Sequence, residues 1–381
     1  MKERLGAPGQ GICLIRIRMV VRMTFREIGL LRLSNQQILD PHFSKPGMVV
    51  TALGALQAQD YAGALWSVGL RMPVATVAGI RKALADREIV RTWLLRGTLH
   101  FVAPDDVRWI LGLVAPRVIA GSAGRHRRLG LEEKDFVRSR ELFTEELQGG
   151  RQLTREEIFR LLREAGISPD GQRGYHLLWR AGMEGLICFG NHRGTQPTFV
   201  LLDEWVSPGH AFGREKAVIE LAKRYFTGHG PATLQDFVWW SGLKVSEVKA
   251  GIEAAGPAIL GKTINGIEFF MAQETMDPPG DEPEAYLLPG FDEYILGYHD
   301  RRAVLNPSLA GRTVIGGNGM MLSTIVVEGS VAGTWKRGLR NREIVVALNP
   351  FSSLTSAHQR LVNSAAERYG RFIGMPVVVE W

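Results

Sequence analysis

The chain has 381 residues, too many for one small core and enough, at about 150 residues per domain, for two or three units. Hydrophobic residues at 45% and charged residues at 22% exclude an intrinsically disordered chain, and two cysteines, Cys13 and Cys188, are too few for a disulfide framework or a thiolate zinc site. The net charge of +7 favours a polyanionic partner, although much of the excess lies near the amino terminus, where Lys2, Arg4, Arg16, Arg18, Arg22, Arg26 and Arg32 outnumber Glu3 and Glu27.

The apolar run at 12–23 is interrupted by Arg16, Arg18 and Arg22, so it fits neither a signal-peptide core nor a membrane span. Residues 1–29 read as a basic tail, with Met19 or Met23 as an alternative start. No membrane partner and a reducing cytoplasm are expected. A weak repeat then follows: helices, then two short apolar strands joined by a turn. In the first unit, 30–120, the spacing predicts helices at 45–57, opened by Pro46, at 77–85 and at 105–118, with strands at 89–95 and 98–103 flanking Arg96 and Gly97.

The second unit, 121–208, has predicted helices at 132–147, at 154–166 with Thr154 and Glu157 as a capping box, and at 174–185. Its strands are 186–189 and 198–202, joined by the polar segment 190–194. The third unit, 209–276, repeats the pattern with helices at 214–226, 233–241 and 245–255 and a strand-like run at 259–271. Three helices and a two-stranded wing make a winged helix-turn-helix, a DNA-binding form. After a turn-rich acidic linker at 277–283, short strands at 313–315, 320–328, 331–335, 344–348 and 377–381 and a helix at 356–371 read as a small β-barrel over 284–381, with Asn318-Gly319 as a tight hairpin turn. The fold class expected is α+β: three tandem winged-helix units and a small C-terminal β-barrel.

GPAILGKT at 256–263 matches the phosphate-binding P-loop letter for letter. A P-loop needs a strand before it and a helix after it, so that backbone amides and the helix dipole converge on phosphate. Here a helix precedes and a β-rich run follows, so the segment reads as a helix-to-wing loop with a solvated Lys262. There is no zinc-peptidase HExxH, no nucleophile elbow and no zinc-deaminase spacing, so no metal and no cofactor are expected. His100 is more often a satisfied buried residue than an acid or base. Gln57, Gln59 and Asp60 stand out because they interrupt an otherwise apolar stretch at 53–71; alone, they read as polar side chains at a helix end.

Gln57-Ala58-Gln59, with RTWLLRGTLH at 91–100, GPATLQDFVWWSG at 230–242 and LPGFDEYILGYHDR at 288–301, resembles the AlkZ-type winged-helix DNA glycosylases from about residue 30 to the carboxyl terminus. The resemblance implies three winged helices and a barrel wrapped around DNA, with Gln57 and Gln59 as the catalytic pair. A sister branch, the YcaQ type, has Asp at the second position, so Gln59 sets this chain in the Gln-x-Gln branch. Neutral amides suit one substrate class: a purine alkylated at N3 or N7 is already cationic and leaves with little acid help. The enzyme then has to place a water and stabilise developing positive charge, which Asp60 can assist. On a regular helix residues two apart diverge by about 200°, so either the helix ends or bends near Ala58 or only one glutamine faces the site.

No lysine flanks the motif to attack the sugar, so an abasic site is the expected product. Expected contacts to double-stranded DNA are Arg91, Arg96, Arg125, Arg127, Arg128, Lys336 and Arg337, with Asn318 and Met320 on a hairpin that probes the duplex. The expected function is a monofunctional, monomeric glycosylase for N3/N7-alkylpurines, extending to interstrand crosslinks. The alternative from another class is a noncatalytic winged-helix regulator.

Overall fold

The computed structural model describes residues 20–21, 23–273, 280, 282–315 and 320–381. The acidic linker falls largely outside them, as do Asn318 and Gly319. Most helices stand where apolar spacing and caps placed them: Val77–Ala85, Val107–Gly121, Glu133–Leu147, Arg155–Glu164, Arg173–Met183, Arg214–His229, Leu234–Ser241 and Val245–Ala254. The Thr154 hydroxyl accepts from Glu157 N–H and the Glu157 carboxylate returns to Thr154 N–H at 2.7 Å, the reciprocal bonds that a helix start needs. Helices at Phe25–Asn35, Tyr61–Leu70, Ala123–Arg128, Leu202–Trp205 and Glu293–Leu296 are not expected from the sequence. Phe25–Asn35, capped by Thr24 and Glu27, begins inside the supposed basic tail and buries Ile28, Leu30, Leu31 and Leu33. These apolar residues run nearly consecutively, so no three-four spacing announces a helix.

The first two strand pairs do not stand apart as separate wings. Val90–Trp93 with Leu99–Val102 and Ile187–Arg193 with Gln196–Leu201 join through Arg91 opposite Phe189. Leu56–Gln57 and Leu153–Thr154 close the two edges of this six-stranded sheet. The third pair, Leu260–Ile264 and Ile267–Met271, turns at Asn265-Gly266, where φ values of 51° and 81° suit a tight hairpin. It follows a helix and a short 3-10 turn at Gly256–Ala258, the reverse of P-loop order, and Lys262 is buried, contrary to the solvated side chain expected.

The carboxyl-terminal strands form a five-stranded sheet in the order Ala285–Leu288, Thr324–Val327, Ser330–Arg340, Glu343–Pro350, Val377–Glu380. The expected barrel is not closed: among the described residues the two outer strands do not pair with each other. The reason is the helix Ser356–Ile373, a crossover that returns Val377–Glu380 parallel to Glu343–Pro350 instead of onto the far edge. Buried apolar side chains form two clusters, one under the helices of the second and third units and one joining the amino-terminal helices to the carboxyl-terminal sheet. Ala55 packs into the first, Leu56 and Ala58 into the second. The segment carrying Gln57 is therefore held between two cores.

Candidate active site

The helix predicted at 45–57 stops early. Pro46–Leu53 ends at Gly54, whose φ of 77° turns the chain, and the next residues are extended. Leu56–Gln57 adds to Leu99–Val102 with Leu56 opposite Phe101 and Gln57 opposite His100, and Ala58 N–H donates to Leu99 O at 2.7 Å. The next helix, Tyr61–Leu70, starts after Asp60. The motif therefore lies outside any helix, and the geometric objection to a Gln-x-Gln pair disappears. Leu56 and Ala58 are fully buried, Gln57 is 7% exposed, and Gln59 is open to solvent.

Both amides are oriented. Arg96, in the tight turn between Val90–Trp93 and Leu99–Val102 with φ 56°, donates Nη2–H to Gln57 Oε1 at 3.2 Å and Nη1–H to Trp240 O, while its guanidinium lies 4.8 Å from the Trp239 ring centroid. A guanidinium has only donors, so the Gln57 oxygen faces Arg96 and its NH2 points elsewhere. Gln59 Oε1 accepts, at 3.4 Å, from Leu99 N–H. Behind the pair lies a carboxylate to which the sequence reading gave no role. Glu293, fully buried, accepts from Gln57 N–H at 3.0 Å and from Trp240 Nε1–H at 2.9 Å, and lies 3.3 Å from His229 Nε2.

Glu293 is held in place by its neighbour. Asp292 caps the short helix Glu293–Leu296 and makes a two-pronged pair with Arg71, at 2.8 and 2.9 Å, at the end of the helix that follows the Gln motif. The Asp-Glu dipeptide thus fixes both ends of that segment, Arg71 through one carboxylate and Gln57 through the other. Burial pushes the Glu293 carboxyl up, but the His229 hydrogen bond and the Arg96 charge outweigh it and hold it down at about 2, so it is ionised. His100 is fully buried; burial first and the Arg96 charge second push it down to about 4. Its Nδ1 lies 2.9 Å from Thr98 O and Nε2 has no hydrogen-bond partner among the described residues. It is a neutral ring beneath Gln57, not a proton donor.

A family model, that of the AlkZ-like DNA glycosylases, matches residues 50–372, a span that takes in Gln57, Gln59, Arg96, Trp240 and Glu293. The chain belongs to the AlkZ-like DNA glycosylase family. A Streptomyces sahachiroi protein described as an interstrand DNA cross-link repair glycosylase is 25% identical over 93% of this chain and 98% of its own length. The solved structure of the Streptomyces sahachiroi DNA glycosylase AlkZ superposes with a TM-score of 0.77 at 25% identity, covering 94% of this chain and 100% of that one. The protein is thus a DNA glycosylase with DNA as its substrate, and the noncatalytic regulator is set aside.

Several residues offered by this glycosylase sequence as phosphate contacts have other tasks. Arg91 is 8% exposed, donates Nη2–H to Ala58 O at 3.0 Å and lies over the rings of Tyr61 and Phe189; burial lowers its pKa to about 10. Arg96 is spent on Gln57 and Trp240. Arg125 donates to Gln172 at 2.6 Å, leaving Arg127 and Arg128 exposed on the short helix Ala123–Arg128. Lys336 and Arg337 are exposed on Ser330–Arg340, with Arg337 3.2 Å from the Tyr369 hydroxyl. Asp60 is exposed and shares a small cavity, about 30 Å³, with Arg337 and Trp335. Met320 is 44% exposed while Met321 packs into the core.

Among the described residues no cluster of His, Cys, Asp and Glu is placed to hold a metal ion, and no helix is long and apolar enough to cross a membrane. Glu293 was visible in principle: an Asp-Glu pair inside the apolar run LPGFDEYILGY is a buried-carboxylate signal. Its partners, however, lie 236 and 53 residues away in sequence.

Proposed function

We propose that this glycosylase hydrolyses the N-glycosidic bond of N3- and N7-alkylated purines in duplex DNA, with Gln57 and Gln59 orienting the attacking water. The observation that carries the reading is the strand edge at Gln57, its amide fixed by Arg96 and its backbone by Glu293, beside an exposed second amide at Gln59 held to the same neighbouring strand. The Gln57 NH2 is turned away from Arg96 to donate to a water oxygen, and the Gln59 carbonyl keeps a second lone pair to accept a water proton. The water adds to C1′ as the bond to the base breaks, the cationic base leaves neutral, and the water's proton passes to solvent. Glu293 supplies fixed negative charge behind the site as positive charge develops on the sugar. Neither amide is a base strong enough to assist a neutral leaving group.

The three helix and hairpin units serve as winged helices for duplex DNA, joined by the carboxyl-terminal sheet. Arg127, Arg128, Lys336 and Arg337 remain exposed for phosphate, and Met320 for the duplex interior. The proposal extends to interstrand crosslinks joined through such a purine, the lesion class in the relative's name. Incubating the enzyme, as a monomer, with duplex bearing N7-methylguanine and then alkali should cut the strand at the lesion, while a uracil duplex stays intact. Equal cutting of both would contradict the reading.

A further inference from the structure

A cavity of about 460 Å³ opens between the helix Val77–Ala85, Tyr61 and the hairpin of the second unit. Neither Gln57 nor Gln59 lines it. Arg91 faces it from the opposite side of the sheet from Gln57: Arg91 pairs with Phe101 while Gln57 pairs with His100, and adjacent residues of a strand alternate faces. Its wall combines two cations, Arg81 and Arg91, with the aromatic rings of Tyr61, Phe189 and His192 and the amide of Asn191, and among the described residues it carries no carboxylate. Tyr61 and His192 already lie against each other, ring centroids 4.4 Å apart. The buried Arg91 Nε–H has no hydrogen-bond partner among the described residues.

We propose that this cavity is a second nucleotide subsite, holding one unpaired, undamaged nucleotide of the bound DNA, its phosphate against Arg81 and Arg91 and its base against the aromatic wall. Guanidinium groups and π faces together are what single-stranded nucleic acid binds. The same two cations reject the lesion itself, because a cationic alkylpurine would be placed beside two positive charges. A neutral base displaced when the duplex opens at the lesion meets no such repulsion. The subsite is tied to the reaction centre through Arg91, which donates to the carbonyl of Ala58, the residue between the two glutamines. It rests on the glutamine reading only for where the reaction centre lies.

The test compares binding of a fully paired duplex with the same duplex carrying a one-nucleotide bulge, by fluorescence anisotropy on the full chain. Wild type should prefer the bulged duplex by about tenfold, the scale of one stacked base. Arg81→Ala, on an exposed side chain, and His192→Ala should each remove most of that preference while affinity for paired duplex changes less. Gln57→Ala should keep it, so a failure of the glutamine reading leaves this measurement standing. Loss of the bulge preference on adding deoxyguanosine 5′-monophosphate would show the same base-and-phosphate chemistry met by a free nucleotide; insensitivity to it would tie the subsite to the strand. Equal affinity for the two duplexes in wild type, or a preference unchanged in both variants, would overturn the proposal.

Discussion

Replacing Glu293 by Gln keeps the volume of a fully buried side chain and removes its charge. The carboxylate now serves Gln57 N–H at 3.0 Å through one oxygen, and Trp240 Nε1–H at 2.9 Å and His229 at 3.3 Å through the other. An amide has one acceptor oxygen, so its NH2 must face either the Gln57 backbone or the Trp240 indole, and one buried donor loses its acceptor, at about 1–3 kcal/mol. The bonds that survive fall from charge-assisted to neutral, about 1 kcal/mol more. The sum is about 2–4 kcal/mol of stability, measurable by urea unfolding. A motif displaced by a fraction of an ångström should also lose about ten- to a hundredfold in single-turnover excision. Glu293→Gln with stability within about 0.5 kcal/mol of wild type and an unchanged rate would refute the role given to this network.

His100 has a folded-state pKa of about 4 against an ordinary 6.5, so as pH falls through that window the unfolded chain takes the proton first and about 3 kcal/mol of stability is lost. Glu293, held at about 2 against 4.5, adds a further loss below that range, and His100→Leu should flatten the upper part of the pH–stability curve only. Arg337→Ala should weaken duplex binding and reduce the slope of log affinity against log salt by about one, an unchanged slope removing Arg337 from the phosphate contacts. EDTA should leave excision unchanged; loss of activity restored by a divalent cation would show a metal requirement.

Local signals told where most helices lie. Thr154 with Glu157, Thr233 with Asp236 and the spacing at Val77–Ala85 each fix an element within a few residues of sequence, so the chain itself announces them. The apolar run of Phe25–Asn35 has no such periodicity, and its burial is decided by packing against distant segments. The strand at Leu56–Gln57 was hidden for a related reason. Its two residues are extended because Gly54 ends the preceding helix, a local condition, and Leu99–Val102 offers an edge, a tertiary one. Gln57 and Gln59 were legible as polar residues in an apolar stretch, but the partners that hold their amides were not. Arg96 looked like a phosphate ligand because sequence cannot tell a cation facing solvent from one folded over Trp239. Glu293 could be suspected as a buried carboxylate, yet its bond to Gln57 crosses 236 residues.

The most direct test of the central claim is single-turnover excision of N7-methylguanine by the Gln57→Ala/Gln59→Ala double variant at saturating enzyme, with duplex affinity measured beside it. Two neutral amides that only position a water predict a loss of at least about a hundredfold in rate, the scale of one oriented catalytic contact, with affinity nearly intact. A double variant that excises N7-methylguanine at the wild-type rate would contradict the mechanism outright.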